Sequence, residues 1–162
     1  MAKVKKIMLT DVPTLKKEAS IEEVAKSLYE YPYGCVVIVE NDTPIGIVTE
    51  LDFVRNMTFQ GNKFIKEPVS KIMSSPVISM NPSTKLDEAL KLIDTKRFRK
   101  YPVVENGKLA GLVTKRDIVN AVSDNLRFHR NIQNFVVVLF ILFEFFVFVF
   151  FNYLQKYLSF TS

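Results

Sequence analysis

Two heptapeptides in this chain carry the same reactive groups at the same spacing. Gly46-Ile-Val-Thr49-Glu-Leu-Asp52 and Gly111-Leu-Val-Thr114-Lys-Arg-Asp117 share glycine, threonine and aspartate at matching positions. Apolar residues lead into each threonine, and Thr-x-x-Asp is a helix-opening pattern, so each motif reads as a strand-to-helix turn. As a cap alone, it would stabilise its helix by about 1 kcal/mol. The same geometry also suits a ribose phosphate. A helix start offers unpaired N–H groups and the positive end of the macrodipole. The threonine hydroxyl can bind a phosphate or ribose oxygen, and a carboxylate one turn on can accept from both ribose hydroxyls. The glycine permits close backbone approach, and the apolar strands alongside can sandwich a flat base.

The elements that must position these groups repeat with them, at an ungapped offset of 65 residues. Lys6-Ile-Met8 recurs as Lys71-Ile-Met73, and the stretch from Cys35 overlays the stretch from Lys100. A period this long marks two copies of one folding unit. In the first copy, Ser20-Ile-Glu-Glu23 is a capping box ahead of a helical face made of Ile21, Val24, Ala25 and Leu28. CVVIVE then reads as a buried strand, Asn41-Asp42 as a turn and Ile45–Val48 as a return strand into a helix from Thr49 to about Met57. In the second copy, Thr84-Lys-Leu-Asp87 caps a helix facing inward through Leu86, Ala89, Leu90 and Ile93. Tyr101–Val104 is a strand, Asn106-Gly107 a hairpin turn and Leu109–Val113 the return strand. Thr114 opens a last helix with Ile118, Val119 and Val122 inward. Each copy is β-α-β-β-α, and Gln60–Lys71 links them. A unit of about 60 residues is marginal alone, so the copies are expected to share a core.

The paired motif, the Lys-Ile-Met openings and Lys100-Tyr-Pro-Val-Val104 together resemble a tandem of CBS domains, named for cystathionine β-synthase and also called a Bateman module. The resemblance covers about residues 1 to 125 and implies an α+β fold: two β-α-β-β-α repeats packed with pseudo-two-fold symmetry. The expected boundaries are 1–65 and 66–125 for the repeats, 126–134 for a linker, 135–154 for a hydrophobic helix and 155–162 for a tail. The resemblance further implies clefts for an adenine nucleotide (AMP, ADP or ATP, in some members S-adenosylmethionine), a homodimer and a regulatory rather than enzymatic role with no required cofactor. It assigns Asp52 with Thr49, and Asp117 with Thr114, to ribose and phosphate. Backbone at Val12-Pro13, Val77-Ile78, Tyr33–Val36 and Lys100–Pro102, which includes Tyr101, would frame the adenine.

The two sites are not equivalent. Lys115 and Arg116 lie inside the second motif, and Arg97, Arg99 and Lys100 precede its central strand. The first copy has Glu50 and Leu51, with Gly34-Cys35 in place of Arg99-Lys100. Phosphate favours positive partners, so the Thr114/Asp117 site is expected to hold it better.

Composition narrows the alternatives. The net charge of +5 points to an anionic partner or a lysine-rich surface. One cysteine precludes an internal disulfide, and Cys35 within an apolar run reads as a small buried side chain. One histidine, His129, leaves no ordinary zinc site, and no nucleophile–base–orienter set or Walker-type loop is present. The N-terminus has no secretory signal, which places the repeats in the cytoplasm. From Phe135 the chain becomes FVVVLFILFEFFVFVFFNYL, with Glu144 as its one charge. At about 1.5 Å per residue this run is long enough for one bilayer crossing. Arg127 and Arg130 ahead of it place the N-terminus inside. Such an anchor would leave an unidentified effector protein to receive the signal. Two other readings compete: nucleic-acid binding through the basic face Lys96–Tyr101, and an adaptor with empty clefts.

Overall fold

The computed structural model describes residues 2–96 and 98–160, with side chains omitted at 60–63, 125, 126, 129 and 152–160. Arg97 therefore lies outside the described residues, as do the side chains of His129 and of 152–154. The chain divides into two units, residues 1–121 and 122–162.

In the first unit, β1 (Thr14–Lys16) pairs parallel with β2 (Cys35–Glu40), and β2 pairs antiparallel with β3 (Thr43–Thr49). Asn41 and Asp42 turn this hairpin with φ of 51° and 66°, the mirror-image conformation that matches strand twist. Between β1 and β2 runs α1 (Ile21–Glu30), opened by the complete Ser20/Glu23 capping box. After β3 comes α2 (Glu50–Gln60). The second copy has α3 (Leu86–Thr95), β4 (Lys100–Glu105), β5 (Lys108–Thr114) and α4, which starts at Lys115. Its turn, Asn106-Gly107, has φ of 52° and 80°.

Four local readings are corrected. The opening strand of the second copy shrinks to one parallel bridge, Met80↔Val103, at the position of Leu15↔Ile38 in β1–β2. Asn81 accepts hydrogen bonds from the Ser83 N–H and hydroxyl, and this turn, followed by Pro82, bends the chain away from the strand. The cap of α3 is Lys85 rather than Thr84. Lysine has no acceptor, so only the Glu88 carboxylate contributes, from the Lys85 N–H at 3.4 Å. Val119 is 40% exposed rather than inward. The linker Gln60–Lys71 is not a spacer, because its Phe64 and Val69 are buried in the first copy's core.

That last point reflects an exchange between the copies. Leu9 bridges Leu112 of β5, while Ser74 bridges Ile47 of β3. Val4, Ile7 and Met8 pack into the core of the second copy, around Ile93, Tyr101 and Ile118. Val69, Ile72 and Met73 pack into the core of the first, around Ile21, Val36 and Val48. Each Lys-Ile-Met opening thus completes the other copy. A third cluster joins the two: Cys35, Val37, Ile47 and Leu112, flanked by Val12, Tyr33 and Val77. This is the shared core that two marginal units require.

Helix α4 spans Lys115–Phe160. Residues 126–134, expected as a linker, are helical, since no glycine or proline between 115 and 160 interrupts the helix. Within it, Arg130–Phe151 contains an 18-residue window of mean hydropathy 2.7 and is long and apolar enough to cross a membrane. Its described side chains are exposed.

Candidate functional site

Both motifs adopt one geometry. The Thr49 N–H and hydroxyl donate to Asp52 Oδ2 at 2.9 and 2.7 Å, and the Asp52 N–H donates back to Thr49 Oγ1 at 3.4 Å. In the second motif the same three bonds, between Thr114 and Asp117, measure 2.9, 2.7 and 3.2 Å. The cap is therefore real in both copies. It occupies only Oδ2 of each aspartate, so among the described residues both Oδ1 atoms are left for another donor.

The glycines answer to packing instead of to a ligand. A Cβ on Gly46 would stand 2.5 Å from Met73 Sδ, and one on Gly111 would stand 2.4 Å from the Leu9 carbonyl oxygen and 3.2 Å from Met8 Sδ. The close approach is made by the exchanged opening segments, so motif and opening recur together because each pair forms one contact.

The basic residues divide between the motifs. Lys100 does not join Thr114. Its ammonium donates to the Gly34 carbonyl, which also accepts the Glu50 N–H at 3.3 Å. A long side chain thus carries this charge across to the first motif. The Arg99 carbonyl accepts the Lys115 N–H at 2.8 Å, which keeps the Arg99 backbone with the second motif. Arg99, Lys115 and Arg116 are exposed.

The segments expected to frame the adenine lie at the junction of the copies and in the two cores. Val12, Tyr33 and Val77 meet at the junction of the copies, and Tyr33 stacks on Tyr31 with ring centroids 6.3 Å apart. Val36 and Tyr101 are buried in the first and second cores, respectively. Tyr101 donates its hydroxyl hydrogen to the Phe98 carbonyl at 3.0 Å. Ile78 packs on the second core. The Pro13 and Pro102 carbonyls accept strand bonds from the Val37 and Met80 N–H groups. In the Lys96–Tyr101 segment Tyr101 is buried and Lys100 is bonded to Gly34, while Lys96, Phe98 and Arg99 are exposed.

A cavity of about 280 Å³ opens between the copies. Thr10, Val12 and Thr14 line it from the first copy, and Lys108, Leu109 and Gly111 from the second. Strand β5 runs on from Gly111 to Thr114, about 10 Å further along. Motif reasoning missed Thr10 and Thr14, although the repeat signals both: Ser75 and Ser79 stand 65 residues later, so both hydroxyl positions recur.

The CBS domain model matches twice, at residues 4–58 and 69–124. The chain belongs to the CBS domain family. An uncharacterized protein of Methanopyrus kandleri is 41% identical over 111 residues, 67% of this chain and 57% of that one. The chain thus spans little more than half the length of that relative. The crystal structure of a CBS-domain containing protein from Agrobacterium tumefaciens matches with a TM-score of 0.65 at 33% identity, covering 74% of this chain and 92% of that one. The Arabidopsis thaliana CBS-pair protein CBSX2, crystallised in complex with AMP, shares the fold with a TM-score of 0.65 at 23% identity, covering 76% of this chain and 98% of that one.

In this CBS pair Cys35 is a core residue. It is 1% exposed, and burial pushes its thiol pKa up to about 11, against a smaller opposing effect of Lys100. At pH 8 roughly one molecule in a thousand carries a thiolate. A thiol reagent should therefore react with Cys35 only at the rate of unfolding. Because the folded pKa is the higher one, this contribution to stability is complete below about pH 9 and declines as pH rises toward 11. Fast labelling of the native chain at pH 8 would contradict this placement.

Proposed function

We propose that this CBS pair is a regulatory sensor of an adenosine ligand, held at Thr49/Asp52 and Thr114/Asp117. The observation that carries this reading is the doubled aspartate with its unused Oδ1. A ribose diol can bind there without dismantling the cap that holds the carboxylate in place. The AMP complex of the similarly folded CBSX2 supports the ligand class. The ligand would stabilise one arrangement of the two copies, by no more than its difference in affinity for the two states. A homodimer passing this signal to an effector protein completes the reading.

Residues 130–151 add a membrane tether, with the CBS pair on the cytoplasmic side, the side favoured by Arg127 and Arg130. Thermal melting of the full chain with AMP, ADP, ATP and S-adenosylmethionine tests the sensor. Ligand at about 100 times Kd should add about 2.7 kcal/mol, and no shift with any of the four would reject it. Carbonate extraction tests the tether: release into the soluble fraction would refute a spanning helix.

A further inference from the structure

We infer that Glu50 and Lys100 set the charge of the ligand at the first motif, which takes an adenosine ligand without net negative charge, while the second motif takes the phosphate-bearing one. This rests on the adenosine reading above and names the ligand class of each site. Glu50 Oε2 and Lys100 Nζ flank one point, 2.7 and 2.8 Å from where a Cβ of Gly34 would stand. Lys100 has the Gly34 carbonyl as its hydrogen-bond partner, and the Glu50 carboxylate lies on the other side of the same point. With Asp52, the first motif holds two carboxylates against one ammonium.

Shifting every position by 65 residues reverses the balance. Glu50 becomes Lys115, Leu51 becomes Arg116, Gly34 becomes Arg99, and Lys100 is replaced by the buried Cys35. The Arg99 carbonyl holds the Lys115 N–H just as the Gly34 carbonyl holds that of Glu50. The second motif therefore carries one carboxylate, Asp117, with Lys115 and Arg116 beside it in sequence and Arg99 joined to it through the backbone. A phosphate monoester carries nearly two negative charges at pH 7. At the first motif it would meet a carboxylate, Glu50, where the second has the ammonium of Lys115, and at the second an excess of cations. Glu50, Arg99, Lys115 and Arg116 are exposed, so the discrimination should weaken as salt rises.

Calorimetric titration of the full chain carrying Asp117→Ala isolates the first motif. Adenosine should bind, and AMP should bind at least about tenfold more weakly. Adding Glu50→Gln should bring AMP to within about twofold of adenosine. Equal binding of AMP and adenosine to Asp117→Ala, or a gap that Glu50→Gln leaves intact, would overturn the inference alone. So would an Asp117→Ala chain that binds neither while the unaltered chain still binds AMP. Failure of the unaltered chain to bind either compound would overturn the adenosine reading, and this inference with it.

Discussion

Asp117→Ala is expected to weaken AMP binding by about 100-fold, while Asp52→Ala leaves it within about twofold. Hydrogen bonds to a charged acceptor contribute about 1.5–3 kcal/mol each, and Asp117 would accept two from one ribose, so the loss of about 2.7 kcal/mol is a conservative figure. The asymmetry comes from what surrounds each aspartate: Lys115, Arg116 and the Arg99 backbone at one, Glu50 and an already engaged Lys100 at the other. Each substitution also removes a cap, since the Thr114 N–H and hydroxyl lose Oδ2. That should cost about 1 kcal/mol of stability in either copy. The unliganded melting temperature therefore falls by a similar amount in both variants, and only Asp117→Ala loses AMP. Equal affinity losses would show that the cations do not select phosphate.

What the sequence made legible follows from local rules. The apolar run at Cys35–Glu40, the two turns of left-handed residues and the Ser20/Glu23 box are each decided by neighbours within a few positions. The ungapped repeat supplied the pairing of motifs. The unread parts are non-local. Lys-Ile-Met recurs visibly, yet nothing in periodicity says that each copy's opening lies on the other copy's sheet edge. Lys100 precedes the second central strand in sequence, but its side chain reaches across to Gly34. Val36 and Tyr101 sit in strands beside the junction, and strand alternation turns both into cores. Thr84 and Asp87 form the better capping pattern, yet the cap of α3 is Lys85, at the 65-residue offset from Ser20. Where pattern and repeat disagreed, the repeat was the better guide.

The same exchange of segments gives the largest expected effect on stability. Gly111→Ala should destabilise the CBS pair by about 3 kcal/mol, and Gly46→Ala by about 1 kcal/mol. Neither glycine has a positive φ, so the cost is steric. At Gly111 the new Cβ meets the Leu9 carbonyl oxygen at 2.4 Å. That oxygen accepts the Leu112 N–H at 2.9 Å, and the Leu9 N–H donates to Leu112 at 2.8 Å. Backbone held by two bonds cannot yield without stretching both. At Gly46 the first obstacle is Met73 Sδ at 2.5 Å, the end of an unbranched side chain with three rotatable bonds. It can swing aside, leaving its own Cβ at 3.2 Å to be accommodated. Urea unfolding of paired variants separates the causes. Met73→Ala should relieve most of the Gly46→Ala penalty, a coupling of about 1 kcal/mol. Met8→Ala should relieve little of the Gly111→Ala penalty, because the obstruction there is main chain. Equal penalties for the two glycines, or rescue of Gly111→Ala by Met8→Ala, would show that Leu9 yields freely and that the exchanged strand is not what the glycine serves.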